Sequence, residues 1–524
     1  MKKTLIPVAG FLLGAEAALY NTVLETNSGP VVGYRAFNSS PAGIGLDNWE
    51  NIAVWKGIPF AQDTSGSNRF RPPQPLAKWN ETLYAAEFGP VCPSATQGGD
   101  YTVDEDCLSL NVWSAANSSA DKLPVVMWSY PAESTARDAL FNGGGMADKN
   151  IVFVNYNYRT GSFGWLATPE LSEERYEAVG VNSSGNWGML DQFAALHWIR
   201  ENIEAFGGDP DHITVQGQSA GSAATYHILN SPLTKGEIVG AIIESGVRDP
   251  HDPLCSSLAE GYTTLAAALA TGESYSASLN CSGDIECMRE LPMDDLVTAF
   301  RSSSYSFSAT LDHYAMPHKY IDSLLEGAAN QVPVITGNNK DENGATYNLS
   351  LTVEEYLADM NETFSGEWLD KFLDQYAVNV SAEGAAGAYD AQWTDRSNVG
   401  TWLWTRLWAK GSSETVHTYF WDHAPPGQDQ GAYHESEINY VLNNLYDTDL
   451  PWTHDDYVIA AKMNAYWVNF IKTGDPNGGN LTEWKAAGTE PVVQHVGNGW
   501  GPMPVADDAK IELFEDWFAT LPTF

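Results

Sequence analysis

Gly217-Gln218-Ser219-Ala220-Gly221 is the stretch on which the reading of this chain turns. It follows an apolar, β-branched run over residues 212–216 and precedes a helical stretch over residues 222–229. A serine set between strand and helix, with glycine two positions away on either side, fits a tight turn that presents its hydroxyl above a sheet. The reason is steric. Such a turn holds the serine in unusual backbone geometry, and the glycines let strand and helix approach without Cβ clashes. The helix start also favours negative charge developing beside the serine. Taken bare, the pattern is weak: a chain with 46 Gly yields about 0.3 matches by chance. Its setting gives it meaning.

Similar strand-like runs recur at 123–128, 151–156, 239–245, 332–337 and 416–421. Between two of them, residues 191–206 carry a helical pattern. Phe193, Leu196, Ile199, Ile203 and Phe206 fall at three- and four-residue steps, and Gly207-Gly208 closes it. Short buried strands alternating with amphipathic helices predict an α/β fold, with a mostly parallel sheet covered on both faces. No repeat, low-complexity tract or linker divides the chain, so residues 18–524 read as one domain.

The chain holds 27 Lys+Arg against 67 Asp+Glu, a formal charge of -40. Nucleic acid and anionic membrane surfaces are therefore excluded as partners, since both need clustered cations. A content of 43% hydrophobic residues, with 19 Trp, 24 Tyr and 19 Phe, argues for large cores and against disorder. At the N-terminus Lys2 and Lys3 precede an apolar run over 5–13 and then Ala15-Glu16-Ala17. That order predicts a secretory signal peptide over 1–17 and an extracellular protein. No stretch is long and apolar enough for a transmembrane helix.

Secretion agrees with nine N-x-S/T sequons, at Asn38, Asn80, Asn117, Asn182, Asn280, Asn348, Asn361, Asn379 and Asn480. Composition alone gives roughly four or five. Disulfides become permissible too. Close spacing pairs Cys92 with Cys107 and Cys281 with Cys287, leaving Cys255 as a free thiol. No cysteine–histidine spacing or calcium-loop pattern points to a metal, and no cofactor is expected.

Several further stretches stand in a fixed order around the serine. They include Lys56-Gly57-Ile58-Pro59-Phe60-Ala61, Arg69-Phe70-Arg71-Pro72-Pro73, Glu105-Asp106-Cys107-Leu108-Ser109-Leu110-Asn111-Val112 and Asn155-Tyr156-Asn157-Tyr158-Arg159. Later come Gly185-Asn186-Trp187-Gly188-Met189-Leu190-Asp191-Gln192, Phe206-Gly207-Gly208-Asp209-Pro210 and Thr473-Gly474-Asp475-Pro476-Asn477. Along nearly its whole length the chain resembles the type-B carboxylesterase/lipase family, the cholinesterase-like branch of the α/β-hydrolases, and within it the secreted fungal-type esterases.

The resemblance implies an α/β-hydrolase fold and a triad in the order serine, acid, histidine. Ser219 is the implied nucleophile. The acid falls in Asn339-Lys340-Asp341-Glu342-Asn343-Gly344, where the family usually reads D-E-G; Glu342 is preferred over Asp341. The base is His434, in Gly431-Ala432-Tyr433-His434-Glu435-Ser436-Glu437-Ile438, similar to the family's G-x-x-H-x-x-E-[LI]. The family's oxyanion hole uses a glycine triplet after a strand, and here the chain departs from it. After Trp128 it reads Ser129-Tyr130-Pro131-Ala132-Glu133-Ser134. Proline falls at the glycine that does not donate, so the implied donors are the amides of Ala132, Glu133 and Ala220. A Cβ at glycine-like angles and a carboxylate near the oxyanion are the two costs.

The expected activity is therefore a secreted serine carboxylic-ester hydrolase working on small-molecule esters. In the lipases of the family it resembles, a long flap lies within the loop closed by the first disulfide. Here only 14 residues separate Cys92 from Cys107, so the resemblance implies no large lid and short- or medium-chain or aromatic esters rather than lipid aggregates. A cholinesterase-like binding protein and an acyltransferase on the same fold are the alternatives. The composition leaves the oligomeric state open. The acidic charge should also hold a proton on His434, with the acid limb of activity moving to lower pH as salt screens the field.

Overall fold

The structure is a computed structural model that describes residues 19–41, 45–94, 99–302, 304–343, 350–379 and 384–524. The expected leader over 1–17 and the Asn348 sequon lie outside the described residues. One sheet of eleven strands organises the chain. In chain order the strands are β1 (Tyr34–Arg35), β2 (Ala53–Pro59), β3 (Ser109–Ser114), β4 (Leu123–Ser129), β5 (Val152–Tyr156) and β6 (Gly208–Gln218). They continue with β7 (Gly240–Glu244), β8 (Val334–Asn339), β9 (Val416–Trp421), β10 (Val492–Val496) and β11 (Gly501–Pro504). Their order across the sheet is β11-β10-β9-β8-β7-β6-β4-β5-β3-β2-β1.

The run from β10 to β5 is parallel throughout. Both margins, β11 on one side and β3 to β1 on the other, are antiparallel. Strands β3, β5, β7, β8 and β9 are buried at every residue. That is the signature of a sheet with cover on both faces, and it explains why these strands read as continuous apolar runs rather than alternating ones.

Each expected strand is present; β9 matches its expected ends and the others shift by one to four residues. β6 begins at Gly208 because that residue pairs with Leu123 of β4 across a register shift, and it runs without a break to Gln218. The expected helix over 191–206 is a longer α1 (Trp187–Asn202) followed by a 3₁₀ turn, Ile203–Phe206, closed by Gly207 at φ 81. Its first turn escapes periodicity because Trp187, Gly188 and Met189 are all buried. α2 (Ala220–Asn230) follows the serine directly. α3 (Ala385–Gly411), α4 (His454–Thr473) and α5 (Asp508–Phe518) complete the cover that matters for the site.

Two disulfides, Cys92–Cys107 and Cys281–Cys287, are formed, and Cys255 is free and buried. No helix among the described residues is long and apolar enough to cross a membrane.

Candidate active site

β6 delivers the chain into Ser219 at φ 55 and ψ -120, a conformation that side-chain-bearing residues rarely adopt. Its amide donates to the Glu244 carbonyl of β7 at 3.0 Å, which pins the turn to the neighbouring strand. The flanking glycines are steric necessities. A Cβ on Gly217 would lie 2.2 Å from the Gly221 carbonyl oxygen, and one on Gly221 would lie 1.9 Å from that of Ser129. The start of α2 therefore presses against the end of β4, and the Tyr130–Ser134 loop that follows β4 lies beside the serine.

Acid and base come from the ends of two other parallel strands. Glu342 follows β8, and its Oε1 accepts from the Asn339 amide at 2.8 Å. Its Oε2 accepts from His434 Nδ1 at 2.5 Å. Asp341 does something else: its Oδ2 accepts from the Ala432 amide at 2.7 Å, and its own amide donates to the Ala432 carbonyl at 3.1 Å. It ties the acid loop to the histidine loop. Asn339 adds two more ties, donating to the Tyr433 carbonyl at 2.9 Å and to Glu437 at 2.5 Å. Trp421 at the end of β9 donates to Ser436 at 2.9 Å. His434 thus sits on a segment fastened on both flanks, with Nδ1 on the carboxylate and Nε2 left for proton transfer. Ser219 and His434 line one cavity of about 730 Å³ together with Glu342. No hydrogen bond joins the Ser219 hydroxyl to His434 among the described residues; such contacts often close only in the substrate complex. The Gln218 amide nitrogen lies 3.4 Å from both ring nitrogens.

The charges of the site are mutually dependent. Burial opposes the charged form of His434, but the Glu342 carboxylate and its hydrogen bond, with Glu437 and Glu435 behind, outweigh it and raise the imidazole to about 9. Burial likewise opposes the Glu342 carboxylate, and the charge and hydrogen bond of His434 reverse that and hold it below its ordinary value. Beneath lie two fully buried acids, Glu437 and Glu244. Burial raises both; the Glu437 charge raises Glu244 further, and the Glu342 charge raises Glu437. The charges named as raising His434 thus belong to the site itself.

The loop after β4 meets the expected departure from glycine in an unexpected way. Glu133 stands at φ 65, a glycine-like angle, yet both Ala132 and Glu133 are exposed, so their side chains have room. Pro131, Ala132, Glu133 and Ala220 all line the cavity with Ser219. Among the described residues, no group accepts from the amides of Ala132, Glu133 or Ala220. Three unpaired donors beside a strained serine can receive an oxygen that becomes negative. Ser219, Glu342 and His434 are thus brought together, and Asp341 is placed in a holding role. The sequence pattern does not disclose the holding role of Asn339, whose side chain acts across a gap of 94 and 98 residues.

A family profile described as "Carboxylesterase family" matches residues 21–497. The chain belongs to the carboxylesterase family. It is similar to the fumonisin B1 esterase of Sphingopyxis macrogoltabida, 32% identical over 460 residues, covering 83% of this chain and 81% of that one. Para-nitrobenzyl esterase of Bacillus subtilis is 28% identical over 458 residues, covering 81% and 87%. Among solved structures, a carboxylesterase of Geobacillus stearothermophilus aligns over 94% of this chain and all of its own, with a TM-score of 0.75 and 27% identity. The chain is a carboxylic ester hydrolase of α/β-hydrolase fold, acting on small-molecule esters.

Proposed function

We propose that this carboxylesterase works through an acyl-enzyme on Ser219. The observation that carries the reading is the convergence of Ser219, the Glu342–His434 pair and three unpaired amides on one cavity. Ser219 Oγ attacks the ester carbonyl as His434 Nε2 takes its proton, and the oxyanion accepts from Ala132, Glu133 and Ala220. Collapse expels the alcohol, protonated by His434. Water, deprotonated by the same nitrogen, then releases the acid and regenerates Ser219. Glu342 fixes the imidazole tautomer and stabilises the imidazolium. Short- or medium-chain or aromatic esters are the proposed substrates, because the Cys92–Cys107 loop is too short to build a large lid.

Secretion belongs to the same proposal: a leader over 1–17 is removed, and 18–524 acts as one catalytic domain. The two disulfides support it, as do the sequon asparagines, since all eight within the described residues are exposed. The test combines an organophosphate with a panel of aryl esters. Covalent labelling of Ser219 with loss of ester turnover is expected. Turnover that survives while Ser219 stays unlabelled would refute the mechanism, and labelling without any turnover would favour the binding-protein alternative.

A further inference from the structure

The loop that leaves β7 enters the catalytic cavity at Arg248, the only Arg or Lys among the described residues lining it. Its backbone is clamped: the Arg248 amide donates to Glu260 at 3.1 Å, and the preceding Val247 carbonyl accepts from Thr401 of α3 at 2.8 Å. Its stem lies against Gly400, where a Cβ would come within 3.3 Å of Arg248 Cβ. Only 6% of the residue is exposed. Buried guanidinium groups normally spend their donors on carboxylates or carbonyls, because an uncompensated buried charge is costly. Arg248 does not. Its Nη1 is buried with no acceptor, and no carboxylate among the described residues lies within ion-pairing distance of it.

The acids nearby are otherwise engaged. Asp252 receives two hydrogen bonds from Arg396, one through Nε at 3.0 Å and one through Nη2. Asp249 accepts from His251 at 2.6 Å. Glu342 serves His434. Burial drives Glu260 well above the ordinary carboxyl range, toward its neutral form. A cation with unused donors is thus held rigidly on the wall of a site in a protein of charge -40, where a free anion is otherwise repelled.

We propose that Arg248 is a specificity residue that binds a carboxylate carried by the ester substrate. The reading rests on the hydrolase activity proposed above and adds the substrate class: hemiesters of dicarboxylic acids, or esters whose alcohol bears a carboxylate. The planar fork of guanidinium matches a carboxylate through two parallel bonds. One positive charge compensates one negative charge. A dianionic phosphate would leave an excess charge in the same cavity as Glu342 and Glu133.

The test compares matched pairs: monobenzyl glutarate with benzyl pentanoate, and 4-(butanoyloxymethyl)benzoate with 4-methylbenzyl butanoate. The quantity read is the ratio of kcat/KM for the anionic ester over its neutral partner. In the native protein this ratio exceeds unity by roughly 10- to 100-fold in the pair whose carboxylate reaches Arg248, the span expected of a charge-assisted bidentate contact. Arg248→Met brings it to about one, through KM, whatever happens to the absolute rates, and Arg248→Lys recovers part of it. A native ratio of one or less in both pairs overturns the proposal even if the Met variant does not fold. So does an Arg248→Met ratio equal to the native one, which would make the residue a structural support for Glu342. Failure of all four esters to turn over, with Ser219 unlabelled by organophosphate, sinks the hydrolase mechanism itself, and that outcome is distinct from rapid hydrolysis of the neutral esters alone.

Discussion

The serine turn and the loop after β4 both place a residue with a side chain at positive φ, Ser219 at 55 and Glu133 at 65, yet they tolerate it for opposite reasons. The serine turn is over-determined. Its neighbours Gly217 and Gly221 have backbone atoms at 2.2 and 1.9 Å from where a Cβ would stand, and the Ser219 amide is bonded to β7. The loop is open: Ala132 and Glu133 are exposed and line the cavity, and their amides donate to no group among the described residues. Strain persists in the first case because packing enforces it, and in the second because the side chain meets no obstacle. Residue identity is therefore dictated in the turn and free in the loop, which is how the loop could leave glycine behind while keeping its N–H groups.

Substitutions in the turn should then be far more damaging than those in the loop. Ser219→Ala removes the nucleophile, and kcat for an aryl ester should fall by about 10⁴-fold or more, with the melting temperature little changed. A residual rate near the native one would mean that another group carries the chemistry. Glu342→Gln should cost roughly 10²- to 10⁴-fold in kcat, because the imidazole loses the group that orients and stabilises it. It should also move the acid limb of the pH–rate profile downward. Activity requires neutral His434, Glu342 raises its pKa, and removing that charge lets the proton leave at lower pH. A limb that stays in place would assign it to another group. Gly221→Ala, which leaves every chemical group intact, should destabilise the protein by about 1–3 kcal/mol and depress kcat, because the new Cβ can be seated only by moving β4 and the donors beyond it. Native stability in a melting curve would show that the turn is less constrained than the contacts imply.

Sequence exposes constraints that are local or continuous and conceals those made by distant partners. The glycines around Ser219 could be read because steric demand acts within five residues. The strands at the centre of the sheet could be read because burial on both faces makes them unbroken apolar runs. α3 gives no helical period, since residues around much of its circumference are buried. The margins β1 and β11 span only two and four residues and carry too little pattern to stand out. At the site, His434 and Glu342 could be placed from their motifs, whereas the part played by Asn339 and Asp341 in fastening the histidine loop depends on contacts 91 to 98 residues away. Arg248 is the extreme case. The case for it rests on a buried Nη1 with no acceptor among the described residues, and Asp252, an acid that could have paired with it, is taken by Arg396 across 144 residues.

The acidic composition also changes meaning. A charge of -40 suggested a diffuse field around His434 that salt would screen. The groups that raise its pKa most are Glu342, Glu437 and Glu435; Glu437 is buried in the site and only 9% of the Glu342 side chain is exposed. Mobile ions screen such pairs weakly. Raising the ionic strength should therefore shift the acid limb downward by less than about half a pH unit, while Glu437→Gln should shift it downward further. A salt shift larger than that of the substitution would return the effect to the surface.

The smallest effect belongs to the loop. Glu133→Gly relieves a left-handed conformation that costs about 1–2 kcal/mol for residues with a side chain, and it gives back roughly 0.5–1 kcal/mol in unfolded-state entropy. Stability should thus change by no more than about 1 kcal/mol. The amide stays, so the hole keeps its donors, and a carboxylate is removed from the neighbourhood of a developing oxyanion. Glu133 is close enough to raise the pKa of Glu435 beside the catalytic base, so its charge is felt in the site. The rate should rise, by less than about tenfold, because Glu133 is solvent-exposed and its charge is largely screened. A loss of two orders of magnitude would instead show that the side chain itself holds the donors in place, and the contrast between an enforced turn and a permissive loop would collapse.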